Sequence, residues 1–561
     1  MERSSKEVKI TIVLDNGKTT GLPERKKECS ITVTHDSSVT LMSTLLKNGL
    51  LEGSFCGGRG DCGRCRVQFI EGVMIPTMLE RSVMTADELR QGYRLACLAR
   101  PKDDCVIRLA FAEEKKIAII SNMIDMPENN DQLSQRNMQS INQTTSVLST
   151  DVMKESAVTG TDVIEKKPNC EEKASAQGRI TAVTEGLIAV DLGTTTIAMQ
   201  LMEVNNGRIL DTYCAMNPQR RYGSDVLSRI RASCDGHREE LRQLVMSVLE
   251  EGVMQFERSG TAIRGMCIAG NTTMTHLLMG YDVLSLGSSP FIPVDIGLQL
   301  YEDSEWDFAV WIAPGISAFV GGDIVAGLYV LKMLPDARRI DCHGQHESLA
   351  LGEEVTDLSA RLLIDLGTNG EMAITDGRRM IVTATAAGPA FEGGAGAGIV
   401  GSDMIANAAE LLERGILDET GLLEEPWFSE GICTGEPAVR LYNKDIRDLQ
   451  MAKAAVRAGV EVLWKRMGQP RIGQVYLAGG FGCYLDVEAA FRIGLLPVTM
   501  RDRITAVGNT SLAGAYHIGR DLLSGSMDKE TLENRLSFIE SINLAEQEEF
   551  EALYVKYMDF R

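Results

Sequence analysis

Long apolar runs are missing from this chain of 561 residues: nowhere do eighteen apolar residues follow one another, so no helical membrane span is expected. The opening "MERSSKEVKI" has no apolar core of a secretion signal. Basic residues are outnumbered, 57 Lys and Arg against 78 Asp and Glu, and the net charge of −21 argues against a nucleic-acid partner. Aromatic residues make up only 5%. The six histidines are dispersed without metal-ligand spacing, so His276, His343 and His346 read as structural or surface residues. Disulfide scaffolding is also excluded, because thirteen cysteines scattered over this length fit a reducing, anaerobic cytoplasm better. With 44% hydrophobic and 24% charged residues, the chain is long enough for three or four domains.

Cysteine is instead concentrated near the start. "CGGRGDCGRC" sets Cys56, Cys62 and Cys65 at the spacing C-x5-C-x2-C, and Cys97 follows in "YRLACLARP". Soft thiolates in a glycine-rich loop suit an iron–sulfur cluster, whereas zinc sites usually pair two short C-x2-C units. Around them "VKITIVLD" and "CSITVTH" read as a hairpin, "LMSTLLKNG" as a helix, and "CRVQFIEG" and "CVIRLAFA" as strands, the order of a β-grasp ferredoxin. The longer first loop resembles adrenodoxin-like and sodium-pumping-reductase-like ferredoxin domains. Cys105 rivals Cys97 for the fourth position. Cys97 is preferred because it stands where the resembled domains place theirs, while Cys105 begins a strand. Residues 1–112 carry 17 basic against 14 acidic residues, including Arg59, Arg64, Arg66, Arg94 and Arg100. Two readings stand for these arginines, a solvated face and a docking patch for an acidic donor or acceptor.

From about residue 113 to 184 the composition turns to Asn, Gln, Ser, Lys and Glu without periodicity, and reads as a flexible linker, with one weak helix near "IAIISNMIDM". Beyond it, one pattern occurs twice. "LIAVDLGTTTIAMQL", "GMCIAGNTTMTHLL" and "VGGDIVAGLYVL" are followed by "LLIDLGTNGEMAI", "VYLAGGFGCYLD" and "VGNTSLAGAYHI". Asp191 pairs with Asp365, Gly270 with Gly479, and the helix around Ala326 with that around Ala513. Each copy reads as an apolar strand ending in Asp, a tight Gly turn and a second strand, then helix, strand, helix. Two lobes follow, at about 185–335 and 360–545.

The turns between the strands bear the chemistry. Gly193, Thr194, Thr195 and Thr196 in one copy, and Gly367, Thr368, Asn369 and Gly370 in the other, are turns whose N–H groups can converge on phosphate oxygens. Asp191 and Asp365 at the strand ends would face each other across a nucleotide and hold the waters of a magnesium ion. Gly479, Gly480 and Gly482 in "LAGGFG" strip a turn of side chains, which suits a flat adenosine ring, while the polar "AGNTT" suits phosphate, ligand or the opposing lobe. The glycine-rich "AAGPAFEGGAGAGIVGS", 386–402, reads equally as a flexible loop or as a lining of the cleft or partner surface.

On these motifs, residues 185–545 resemble the actin-like superfamily of acetate and sugar kinases, heat-shock chaperones and actin (ASKHA), a duplicated RNase H-like fold. With "CGGRGDCGRC", "DLGTTT", "LIDLGTNGE", "AAGPAFEGG" and "LAGGFG" taken together, the chain resembles the reductive activators of corrinoid proteins. The resemblance implies an α/β and α+β multidomain protein: a [2Fe–2S] β-grasp domain at 1–112, a linker at 113–184 and an ATPase domain at 185–545. It implies ATP and Mg2+ as cofactors, reduction of a corrinoid protein from Co(II) to Co(I) in a methyltransferase system, and a low-potential electron donor, with a homodimer left open. Some members carry a small extra domain before the ATPase, for which this linker is too polar, or C-terminal [4Fe–4S] cysteines, which this chain lacks. An activator of a radical dehydratase and a small-molecule kinase with an appended ferredoxin are the alternatives.

Overall fold

The computed structural model describes residues 7–14, 29–48, 50, 60, 65–72, 74–84, 86–109, 184–223, 225–302, 306–335, 359–387, 401–434, 439–479 and 485–560. The linker expected at 113–184 (Thr184 apart) with its weak helix, Cys56, Cys62, Arg59, Arg64, His343, His346, Gly480, Gly482 and the interior of the glycine-rich stretch lie outside these residues.

The N-terminal domain is a five-stranded mixed sheet. Strands β1 (Glu7–Leu14), β2 (Cys29–Asp36), β3 (Arg66–Glu71), β4 (Tyr93–Leu95) and β5 (Cys105–Leu109) lie in the order β2-β1-β5-β3-β4. β1 pairs antiparallel with β2 and parallel with β5. Alternation in β1 turns Val8, Ile10 and Ile12 inward, and Ile10 and Ile12 share one core cluster with Leu41 and Leu45 of helix α1 (Leu41–Lys47). Each such side chain, fully buried, contributes roughly 1.5–3 kcal/mol.

The two halves of the larger domain have identical topology. In the first, β6 (Glu185–Leu192), β7 (Thr196–Glu203), β8 (Ile209–Met216), β9 (Ala262–Gly270) and β10 (Ala309–Ile312) are ordered β8-β7-β6-β9-β10. In the second, β11 (Ala360–Leu366), β12 (Asn369–Thr375), β13 (Met380–Ala386), β14 (Ile472–Ala478) and β15 (Ile504–Gly508) repeat that order as β13-β12-β11-β14-β15. A two-residue strand, Gln299–Leu300, extends the β10 edge of the first sheet, and a three-residue strand, Ile539–Ser541, extends the β13 edge of the second. Each half thus holds a third antiparallel strand, β8 or β13, that the sequence reading of two strands omits. β8 is only half-buried along its length, so its apolar positions carry little periodic signal.

The central strands β6 and β11 are apolar on both faces because each sheet is covered on both. Outside the first sheet lies α2 (Arg238–Glu257), whose Leu241, Val245, Leu249, Val253 and Phe256 form one buried stripe. Outside the second lies α3 (Asn443–Arg466). Between the sheets two small-residue helices, α4 (Gly322–Val330) and α5 (Thr510–Ser524), share one apolar cluster with both sheets. A Cβ added to Gly514 of α5 would stand 2.0 Å from the Ala326 carbonyl oxygen of α4, so the two helices cross backbone to backbone.

Candidate functional site

Cys65 immediately precedes β3, and its carbonyl accepts the Ala96 N–H at 2.7 Å. The 95–99 turn is fixed further by Leu98 and Ala99 N–H groups on the Leu95 carbonyl, by Met42 N–H on Ala96, and by Glu80 Oε1, which accepts the Leu95 N–H at 2.8 Å. The result sets Cys65 Sγ and Cys97 Sγ 3.2 Å apart, both buried. That is well beyond a covalent S–S bond of about 2.05 Å and is close enough for two thiolates to share one iron. Cys105 lies beside Gly72, at the far end of β3 from Cys65, a strand length of roughly 20 Å away. Burial, with Asp104 adding to it, pushes its thiol up to about 11, as for a packed cysteine. Cys97→Ser is therefore expected to lose the two irons per chain and the reduced-state EPR signal, as is Cys62→Ser, whereas Cys105→Ser keeps both. Four irons, or the opposite behaviour of Cys97 and Cys105, would refute the assignment.

Of the described arginines near these cysteines, Arg94 is buried and donates to the carbonyls of Met74 and Leu89, so it is a framework residue and neither a solvated nor a docking one. Arg66 pairs with Glu88 at 3.2 Å, and Arg100 donates to the Ser38 carbonyl.

In the larger domain the two Asp–Gly hairpins meet. Gly193 N–H closes the first turn on the Thr196 carbonyl at 3.0 Å, and Gly367 N–H closes the second on Asn369 at 2.9 Å. Thr194 Oγ1 and Thr368 Oγ1, 174 residues apart like Asp191 and Asp365, touch at 2.7 Å across the lobes. The paired glycines behave alike as well. A Cβ on Gly270 would come 2.7 Å from the Leu192 carbonyl, and one on Gly479, which has φ +93°, would come 2.5 Å from the Leu366 carbonyl and 2.6 Å from Asp365 Oδ1. Only glycine fits this left-handed position beside the aspartate.

Asp191 and Asp365 share their cleft with two carboxylates absent from the sequence-based set, Asp323 at the start of α4 and Glu371 in β12. Burial and then the charges of Asp323 and Asp191 push Asp365 up to about 8. Asp323 is raised by burial and by Asp191, and Glu371 is raised by burial and by Asp323 and Asp365. Asp191 is held differently from its repeat partner. Asn509 Nδ2 donates to its Oδ2 at 2.8 Å and Ser511 Oγ to its Oδ1 at 2.9 Å, both from the start of α5 in the other half. These four hard-oxygen side chains suit a hydrated divalent cation. Among the described residues no three His, Cys, Asp or Glu form a direct metal cage.

In "AGNTT" the side chains of Asn271 and Thr272 hold the local fold. Asn271 caps the helix Thr272–Leu278 by accepting the Met274 N–H, and Thr272 Oγ1 donates to the Ser317 carbonyl. His276 is buried, and its Nε2 accepts the Val294 N–H at 3.1 Å, as a structural histidine would. No described helix is long and apolar enough to cross a membrane.

A model described as a 2Fe-2S iron-sulfur cluster binding domain matches 26–102, one for the RACo middle region matches 187–336, and one for the C-terminal domain of RACo, the ASKHA domain, matches 359–397 and 395–561. A corrinoid activation enzyme, RamQ, of Eubacterium limosum is 26% identical over 430 residues, which cover 64% of this chain and 66% of that protein. The [Co(II) methylated amine-specific corrinoid protein] reductase of Methanosarcina barkeri is 22% identical, over 66% of this chain and 76% of its own. The solved structure of a reductive activator for corrinoid, iron-sulfur protein shares the fold over 98% of both chains, with a TM-score of 0.55 and 23% identity. With an iron–sulfur domain followed by the middle-region and ASKHA models of one family, the chain belongs to the RACo family of reductive activators.

Proposed function

We propose that this protein reduces the Co(II) form of a partner corrinoid protein to Co(I), in the cytoplasm, at the expense of ATP, within a methyltransferase system. The observation that carries the reading is the joining in one chain of an iron–sulfur domain with two adjacent buried thiols and an ASKHA domain whose hairpins converge on a carboxylate cleft. The names of the two relatives supply the class of target.

Cys56, Cys62, Cys65 and Cys97 would hold the cluster, which would supply one-electron transfer from a low-potential donor. Plant-type clusters work near about −400 mV. Moving one electron a few hundred millivolts uphill costs on the order of 5–10 kcal/mol, since about 59 mV corresponds to about 1.4 kcal/mol. The chain's own residues provide the coupling. The N–H groups and hydroxyls of 194–196 and 368–370 would bind phosphates, and Asp191 and Asp365 would hold a hydrated Mg2+, with Asp323 and Glu371 beside them in the cleft. Because Thr194 and Thr368 touch, phosphates enter only as the lobes part, and lobe position thereby reports nucleotide state.

The test mixes the reduced protein with corrinoid proteins of its own organism and follows the cobalt spectrum with and without Mg-ATP. Co(I) is expected only with nucleotide, and ATP hydrolysis is expected to quicken when the Co(II) partner is present. Equal rates without ATP would refute the coupling. Failure with every corrinoid protein, alongside phosphorylation of a small metabolite, would support a kinase instead.

A further inference from the structure

The first phosphate hairpin is gripped from behind by the segment that follows β8. Three consecutive carbonyls are engaged. Gly193 O accepts Asn217 Nδ2 at 2.8 Å, Thr195 O accepts the Asn217 N–H at 2.8 Å, and Thr194 O accepts Arg229 Nη2. Asn217 and Arg229 are both wholly buried. Neither is loose: Asn217 Oδ1 accepts the Gln219 N–H at 3.0 Å, and Arg229 also donates to Gln219 Oε1 and to the Gly223 carbonyl, each at 3.3 Å. Gln219 in turn donates to the Leu241 carbonyl of α2 at 2.8 Å, so the grip is anchored in the lobe's outer layer.

In a trans peptide the carbonyl of one residue and the N–H of the next point in opposite directions. Holding the oxygens of 193, 194 and 195 on one side therefore turns the N–H groups of Thr194, Thr195 and Thr196 to the other.

We propose that Asn217 and Arg229 are positioning residues of the nucleotide site, which aim the first hairpin's amides at the polyphosphate while Arg229 adds a buried positive charge behind them. The proposal rests on the ATP-binding reading given above. Preoriented amides backed by a cation favour an anion without reorganisation when it arrives, and the benefit falls on the phosphates alone, not on the nucleoside.

Asn217→Asp keeps the side chain's volume and the oxygen that accepts the Gln219 N–H, but replaces the donor to Gly193 O with an acceptor. Displacement of a fluorescent nucleotide should show ATP and ADP binding weakened at least tenfold, adenosine binding unchanged, and the melting temperature within a few degrees of the wild type. Arg229→Lys, which retains the charge but cannot reach its several acceptors together, is expected to do the same and carries the test if Asn217→Asp does not fold. Unchanged ATP binding in the folded variants, or equal losses for ATP and adenosine, would overturn the positioning role. A wild-type protein that binds adenosine and ATP equally well, or neither, would overturn the nucleotide reading itself.

Discussion

Asp365→Asn is expected to lower ATP hydrolysis by about 100-fold or more, while the cluster's visible spectrum stays intact and the protein melts higher, not lower, above neutral pH. A hundredfold loss corresponds to about 2.7 kcal/mol of transition-state stabilisation, the usual scale for removing one electrostatic element of a site. The stability change has the opposite sign because the carboxylate is badly placed for folding. Burial and the neighbouring charges of Asp323 and Asp191 push its pKa up to about 8. Between the ordinary carboxylate range, about 4, and about 8, the native chain holds a proton that the unfolded chain has released. Its contribution is complete below that window and is lost progressively as pH rises through it. The amide has no proton to lose, so the variant's melting temperature should fall less than the wild type's between pH 6 and 8.5. Wild-type turnover by the variant would remove Asp365 from the mechanism, and parallel pH profiles would remove it as the source of the slope.

Gly514→Val should prevent the two lobes from assembling, leaving little folded protein. The atoms in the way belong to backbone: an added Cβ would lie 2.0 Å from the Ala326 oxygen, 2.3 Å from its carbonyl carbon and 2.6 Å from its Cα. No side chain can rotate aside. Even Gly514→Ala must push α4 and α5 apart between two packed sheets, at a cost above the usual 1–3 kcal/mol of overpacking. Its repeat counterpart is a control. A Cβ on Gly327 would meet Thr510 Oγ1 at 2.8 Å, a side-chain atom, and alanine recovers about 0.5–1 kcal/mol of helix propensity. Gly327→Ala is therefore expected to stay within about 1 kcal/mol of the wild type by denaturant melts. Similar midpoints for the two alanine variants would contradict the crossing geometry.

The contrast between those glycines shows which features a sequence exposes. The hairpins were legible because their chemistry is local: an apolar strand, an Asp and a Gly turn occupy a dozen residues, and the duplication reinforces them. The pairing of Gly270 with Gly479 was legible for the same reason, and in the fold both glycines press on the carbonyl that follows the strand's aspartate. Asn509 and Ser511 were not legible as partners of Asp191, since 318 and 320 residues separate them and nothing local distinguishes them from ordinary helix-capping residues. Asp323 did leave a trace, the lone acid in the apolar "VGGDIVAGLYVL". A charge placed at the head of a buried helix is rarely there for solvation. Arg229 left none, because a buried arginine is recognised by the carbonyls that surround it and not by its neighbours in sequence.

The contact between Thr194 and Thr368 would also set a bound on the nucleotide capture proposed above. A hydroxyl–hydroxyl hydrogen bond has a net worth of about 1 kcal/mol, which by itself would leave roughly one molecule in six with the hairpins apart. Apparent affinity falls in proportion to that competent fraction, so the clasp alone would handicap ATP by only about sixfold. It is weak enough to act as a threshold rather than a lock: cellular ATP would open it readily, while scarce nucleotide would leave the lobes engaged with each other.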